Sequence, residues 1–276
     1  MRFVSLASGS KGNATLILTE TNAVLVDCGI TAKRAEESLQ ALGLSLKDID
    51  ALLLTHEHID HIRGAKRLMS AYRIPVYGTE GTLKNLSRVT GDEYFNYAGR
   101  ELMEAVRMDQ YFRIGDIGIL PFHTYHDVAE PCGYRFELTQ ENEDLRRHVE
   151  LAVMTDCGHF DDYIADHLMS LDSMLLESNH DRTMLANGPY PMRLKRRIMS
   201  SEGHMSNHAA GQLLSEVISP RLKTVLLGHL SQENNTHQKA LETVREELSA
   251  VYGEAAAGRL GLYVAPQDGL SVTVEL

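Results

Sequence analysis

The sequence predicts an α/β chain folded as a four-layer αβ/βα sandwich, two mixed β-sheets flanked by helices. Three observations carry that reading. Short apolar runs bounded by polar residues, such as Leu52 to Thr55, have the length and composition of buried strands. The element order is β-rich, then alternating, then β-rich, then alternating, which two similar halves around one core would give. Neither a repeat of fixed period nor a Pro/Ser-rich linker divides the 276 residues, so one domain over residues 1–276 is expected.

Val4 to Ala7, Thr15 to Leu18 and Val24 to Val26 read as the first three strands. Ser8-Gly9-Ser10-Lys11-Gly12-Asn13 joins the first two. Its glycines allow backbone N–H groups to turn inward as an anion cradle, or it is a plain hairpin loop. Thr31 caps a helix over Ala32 to Leu42. After Leu52 to Thr55, the spacing of Ile62, Ala65, Leu68 and Met69 starts a helix near His61. Val76-Tyr77 is a strand and Thr79 to Val89 a helix; residues 90–112 are mixed and polar and carry no assignment. Ile117 to Phe122 and Cys132 to Leu138 are strands, with Glu141 to Arg147 a charged hairpin. Leu151 to Thr155, Met174 to Leu176 and Val225 to Leu227 are buried strands. Helices are expected over Asp162 to Leu168, Met192 to Met199, His208 to Ile218 and His237 to Val251, the last capped by Asn235 or Thr236. Leu262 to Ala265 and Ser271 to Val274 close the chain as strands.

Composition narrows the setting. Three cysteines, few and odd in number, fit a reducing cytoplasm without a disulfide framework. Met1 runs straight into a strand, so no secretory leader is expected. No apolar run is long enough to span a bilayer, so no membrane partner is expected. The formal net charge of −11 disfavours nonspecific coating of nucleic acid but leaves room for a local basic site. Arg193, Lys195, Arg196 and Arg197 offer one: a basic stripe, or alternatively a solvated helix face.

The chemistry concentrates in His56-Glu57-His58-Ile59-Asp60-His61, on the turn leaving a strand. Neutral imidazoles and carboxylates are metal ligands. His56 and His58, two apart on an extended turn, can converge on one ion, and Asp60 and His61 can reach a second. The same strand-then-ligand arrangement recurs at Asp156-Cys157, Glu177 to Asp181 and Gly228-His229, and the strand over Ile117 to Phe122 leads into His123-Thr124-Tyr125-His126-Asp127. Asp27, ending the third strand, is a local cap or a partner that orients a metal-bound histidine.

His-x-His-x-Asp-His after a hydrophobic strand resembles the signature of the metallo-β-lactamase superfamily, whose fold is the sandwich expected above. The resemblance implies a first ion on His56, His58 and His126, the histidine before Asp127 being preferred to His123. It implies a second ion on Asp60, His61 and His229, with Asp156 bridging. Ions ~3.5–4 Å apart would share a water that loses a proton near neutral pH. Two divalent ions, zinc, manganese or iron, suit this donor set. Glu177-Ser178-Asn179-His180-Asp181, Glu202-Gly203-His204-Met205-Ser206-Asn207 and Gly228-His229-Leu230-Ser231, with the opening Ser8 to Asn13, are similar to the YycJ (WalJ) group. That likeness implies 5′→3′ exonuclease activity on DNA ends, a metal-bridging hydroxide attacking phosphorus. Asp60 and His204 are then the catalytic candidates, His204 as the acid and His180 as the weaker alternative. Ser10, Asn13, His180, Asn207 and Ser231 are the candidate phosphate contacts. A small-molecule or cyclic-nucleotide phosphodiesterase is the alternative, and a partner protein with structural metals is disfavoured because structural zinc sites are usually closed and rich in cysteine.

Overall fold

The computed structural model describes residues 1–142 and 145–276. Glu143, Asp144 and the side chains of 140–147 and Ala256 lie outside the described residues, and with them the charged tip expected over Glu141 to Arg147. The strands are β1 (Arg2–Ala7), β2 (Ala14–Leu18), β3 (Ala23–Val26), β4 (Ala51–Leu53), β5 (Val76–Thr79), β6 (Met103–Val106), β7 (Phe112–Ile114), β8 (Ile117–His123), β9 (Cys132–Asn142), β10 (Leu145–Met154), β11 (Ser173–Glu177), β12 (Thr224–Gly228), β13 (Gly261–Val264) and β14 (Val274–Glu275). The helices are α1 (Ala32–Gln40), α2 (Ile59–Ile62), α3 (Ala65–Tyr72), α4 (Glu80–Thr90), α5 (Asp162–Leu168), α6 (Arg182–Asn187), α7 (Met192–Ile198), α8 (Asn207–Val217), α9 (His237–Tyr252) and α10 (Glu254–Ala257).

One sheet runs β14-β1-β2-β3-β4-β5-β6 and the other β13-β12-β11-β10-β9-β8-β7. Each is antiparallel in one half and parallel in the other, the change falling at β3 and at β10. The strand period of two sorts the side chains. Leu53, Val24, Val26, Val153, Leu175 and Leu226 face the space between the sheets. Their neighbours Leu52, Leu54 and Leu25 pack outward under the helices of the first sheet. Met154, Met174, Leu176, Val225 and Leu227 do the same for the second. Three apolar layers between four structural layers give the αβ/βα sandwich. No helix among the described residues is long and apolar enough to cross a membrane.

Where expectation and structure differ, the reason is local. β6 and the 3-10 turns at Glu93–Phe95 and Arg100–Leu102 lie in the unassigned stretch. β6 is an edge strand whose residues alternate poorly because only Val106 is buried. β7, α6 and α10 span three to six residues, too short for a periodicity to announce them. Thr31, Thr236 and Ser206 each accept a backbone N–H at the start of a helix, as N-caps.

Candidate metal centre

Site side chains leave the carboxyl ends of strands in both sheets, the edge at which α/β folds present ligands. The sheets are tied together there. Cys132 N donates to Thr55 O at 3.0 Å, and the buried Tyr134 hydroxyl donates to Leu54 O at 2.7 Å. Asp27, Asp156 and His229 each turn off their strand with φ of 59°, 56° and 55°. Left-handed backbone costs a non-glycine residue about 1–3 kcal/mol. Three such residues in one site mark a place where side-chain direction outweighs backbone ease.

His56, His58 and His126 form the first group. His56 Nε2 and His126 Nε2 lie 3.0 and 3.3 Å from His58 Nδ1. Nitrogen ligands bound tetrahedrally at ~2.0–2.1 Å stand roughly 3.3 Å apart, so the spacing fits one cation. The far nitrogens are held from behind: His56 Nδ1 by Thr55 Oγ1 at 3.0 Å, His126 Nδ1 by Gly203 O at 3.0 Å. His123 is not in this group; its ring packs edge-on against Tyr125.

Asp60, His61 and His229 form the second group. His61 Nε2 is 3.7 Å from Asp60 Oδ2 and 3.2 Å from Asp156 Oδ2, and His229 Nε2 is 3.8 Å from Asp60 Oδ2. Asp156 stands between the groups, its Oδ1 3.7 Å from His126 Nε2. His229 Nε2 and Asp156 Oδ2 are buried without an aligned hydrogen bond. Orphaned polar atoms at this depth are costly, and a cation would satisfy both. Asp27 lies behind this group: Oδ2 accepts from His61 Nδ1 at 2.8 Å and Oδ1 from Thr55 N at 2.9 Å. Gly29 allows the packing behind Asp60, since a Cβ there would lie 1.5 Å from Asp60 O.

A fourth carboxylate links this group to His204. Glu177, at the end of β11 and fully buried, accepts at Oε1 from His204 Nδ1 (2.9 Å) and His229 Nδ1 (2.8 Å). Its Oε2 accepts from the backbone of Cys157 and Met205. In the sequence Glu177 reads only as the start of a motif, with no role of its own. Its signal is a carboxylate ending an apolar strand, the same as at Asp27. Ser8 is a second omission: its hydroxyl accepts from His229 N at 2.7 Å.

The two groups differ in charge. Burial, and then neighbouring imidazoles, hold His56 well below the usual histidine range; burial and His126 pull His58 down to about 4. Burial likewise lowers His126. In the second group burial also opposes charge, but carboxylates outweigh it. Asp156 and Asp27 raise His61 well above its usual value, and Asp156, Asp60 and Glu177 raise His229 to about 10. Against burial, His204 and His229 hold Glu177 at about 2, and the His229 and His61 imidazoles beside it hold Asp60 at about 2.

Several expected contacts lie elsewhere. Asn207 is buried, with its amide taken by Asn235 and Ser178, so it braces loops and does not face the histidines. The buried Ser231 hydroxyl accepts from Asn234 N. The Ser8 to Asn13 loop is a braced hairpin connection, not an anion cradle. The N–H groups of Gly9, Lys11, Gly12 and Asn13 are spent on Asn13, Gln267, Gly9 and Asp60. The Asn13 amide also lies 3.0 Å from His61 Nε2. Ser10 is exposed. His180 is buried beside Ser206, its Nδ1 unpartnered, and burial pulls it down to about 4. The α7 stripe is divided: Lys195 is buried on Ala186 O, and Arg197 makes paired bonds of 2.6 and 2.7 Å to Asp127. The three cysteines are buried, burial pushing each thiol up to about 12.

The family model of the beta-lactamase superfamily domain matches residues 22–229. Exodeoxyribonuclease YycJ of Bacillus anthracis is 34% identical over 262 residues, 92% of this chain and 93% of that protein. Exodeoxyribonuclease WalJ of Streptococcus pneumoniae is 33% identical over 248 residues, 90% of this chain and 88% of that protein. Among solved structures, the metallo-beta-lactamase fold protein YhfI of Bacillus subtilis superposes with a TM-score of 0.67 over the whole of both chains at 19% identity, a likeness of fold.

Proposed function

The chain belongs to the beta-lactamase superfamily, in the group of the YycJ and WalJ exodeoxyribonucleases, and from that premise we propose a dinuclear phosphodiesterase that degrades DNA from a 5′ end. It is a metal-dependent hydrolase. The observation that carries the finer reading is the pair of His/Asp groups meeting at Asp156, drawn from both sheets. His56, His58 and His126 would hold one divalent cation and Asp60, His61 and His229 the other. Imidazole and carboxylate donors without thiolate suit zinc, manganese or iron. Such a pair, when bound, acidifies water and neutralises charge on a phosphoryl group.

The chain's own groups supply the rest. Glu177 takes the Nδ1–H of His204, which leaves His204 Nε2 to carry a proton to the leaving oxygen. His204 is partly exposed and so can meet substrate, with 18% of its side chain accessible. His180 is buried and held neutral near pH 7, which leaves the acid role to His204. Asp27 and Glu177 fix the rings of His61 and His229. The 5′→3′ direction rests on the likeness to the group.

The test is metal-loaded protein with duplex DNA labelled at the 5′ or the 3′ end, beside a chromogenic phosphodiester. Release of mononucleotide first from the 5′ label supports the reading. Turnover of the small ester alone would replace it with a small-molecule phosphodiesterase.

A further inference from the structure

We propose that the groove between α1 and α3 is the track along which the sugar-phosphate backbone of a DNA strand reaches the metal centre, an inference that rests on the nuclease reading above. The groove has a volume of about 610 Å³ and is walled by Lys33 on one side and Arg63 and Arg67 on the other. Its position follows from the ligand motif. Ile59, between His58 and Asp60, begins α2 and is 42% exposed. Arg63 and Gly64, between α2 and α3, keep right-handed helical angles, although Gly64 N leaves the helical ladder for Cys28 O. Ile59, Arg63 and Arg67 therefore recur every four residues and share one face. That face starts at the metal rim with an apolar side chain and continues as two guanidinium groups.

Charge identifies the occupant. Neither Arg63 nor Arg67 has a carboxylate partner among the described residues; Arg63 donates only to Lys11 O, at 3.3 Å. The exposed Lys11 ammonium is likewise unpaired among the described residues. The carboxylates on the opposite wall are engaged: Glu36 accepts from Leu46 N and Gln40, and Glu37 pairs with Lys33. Four helical residues rise ~6 Å, about two base steps at ~3.4 Å per step along one strand. Free guanidinium groups at that interval, on a chain of net charge −11, fit a polyanion with regularly spaced phosphates. On α7, by contrast, two of the four basic side chains are already committed within the protein.

The test uses the full-length, metal-loaded protein and two double variants, Arg63→Glu/Arg67→Glu and Arg193→Glu/Arg196→Glu. Each is checked for metal content and melting temperature. KM is measured on a 5′-phosphorylated oligonucleotide across a salt series, with a chromogenic phosphodiester in parallel. The α2–α3 variant is expected to raise KM for the oligonucleotide at least tenfold more than for the small ester. Its salt slope should flatten by about 1.4, the loss of two single-strand phosphate contacts. The α7 variant is expected to track the wild type. A wild-type KM and slope in the α2–α3 variant, or a defect confined to the α7 variant, overturns the track and leaves the nuclease reading standing. A wild-type protein that turns over the small ester but neither cleaves nor binds the oligonucleotide overturns both.

Discussion

Glu177 Oε1 accepts the Nδ1–H of His204 at 2.9 Å, from a carboxylate with no solvent exposure. A buried, ionised partner fixes the imidazole's tautomer and orientation. His204→Ala should therefore lower kcat by about 10²–10⁴-fold, the usual worth of a general acid, with both metal ions retained. Metal analysis beside the kinetics checks this; loss of an ion would make His204 a ligand.

Glu177→Gln keeps the shape of the side chain but removes the charge facing two histidines. It should slow turnover and also weaken the second ion, because His229 Nδ1 shares the same oxygen. Melting temperature and metal content beside the kinetics separate this from misfolding: the fold should hold while turnover falls and the second ion loosens. Unchanged turnover with both ions held as tightly as in the wild type would leave Glu177 a packing group.

Among the described residues Asp27 bonds directly to one candidate ligand, His61, and reaches His56 only through Thr55 Oγ1. Asp27→Asn should weaken the second cation by about 10–100-fold and leave the His56/His58/His126 ion little changed. Competition against a chelator, followed ion by ion, reads both affinities. Equal loss of the two would mean that the groups do not bind independently.

The metal-free protein should lose stability at both ends of the pH range. His61 and His229 have folded pKa values above their unfolded ones. Their contribution is complete below about 6.5 and is lost as pH rises, for His229 through about 10. Glu177 and Asp60 are depressed to about 2, so their contribution is present above about 4.5 and fades as pH falls toward 2. Metal needs neutral imidazole, so loading at pH 7 should release the protons of His61 and His229. Calorimetry in buffers of different ionisation heat measures that release; buffer-independent heats would contradict it.

Much of this site is legible in the sequence because the strand supplies the geometry. A buried strand that stops at His56 must deliver its next side chains to the sheet edge, and Asp156 and His229 follow the same rule. Direction within a loop is not legible. Asn207 and Ser231 are polar residues beside the motif, yet their side chains turn inward to hold Asn235 and Asn234. Lys195 is as basic as its neighbours, but the helix face it occupies is buried. Glu177 is overlooked for the opposite reason: a lone glutamate after Leu175-Leu176 looks like a strand's polar end, and only the fold brings two histidines to it.

The most direct test of the dinuclear centre is anomalous diffraction from crystals of the protein loaded with manganese. Two peaks are predicted, one among His56, His58 and His126 and one among Asp60, His61 and His229, with Asp156 between them. A single peak, or none within reach of Asp156, would contradict the account.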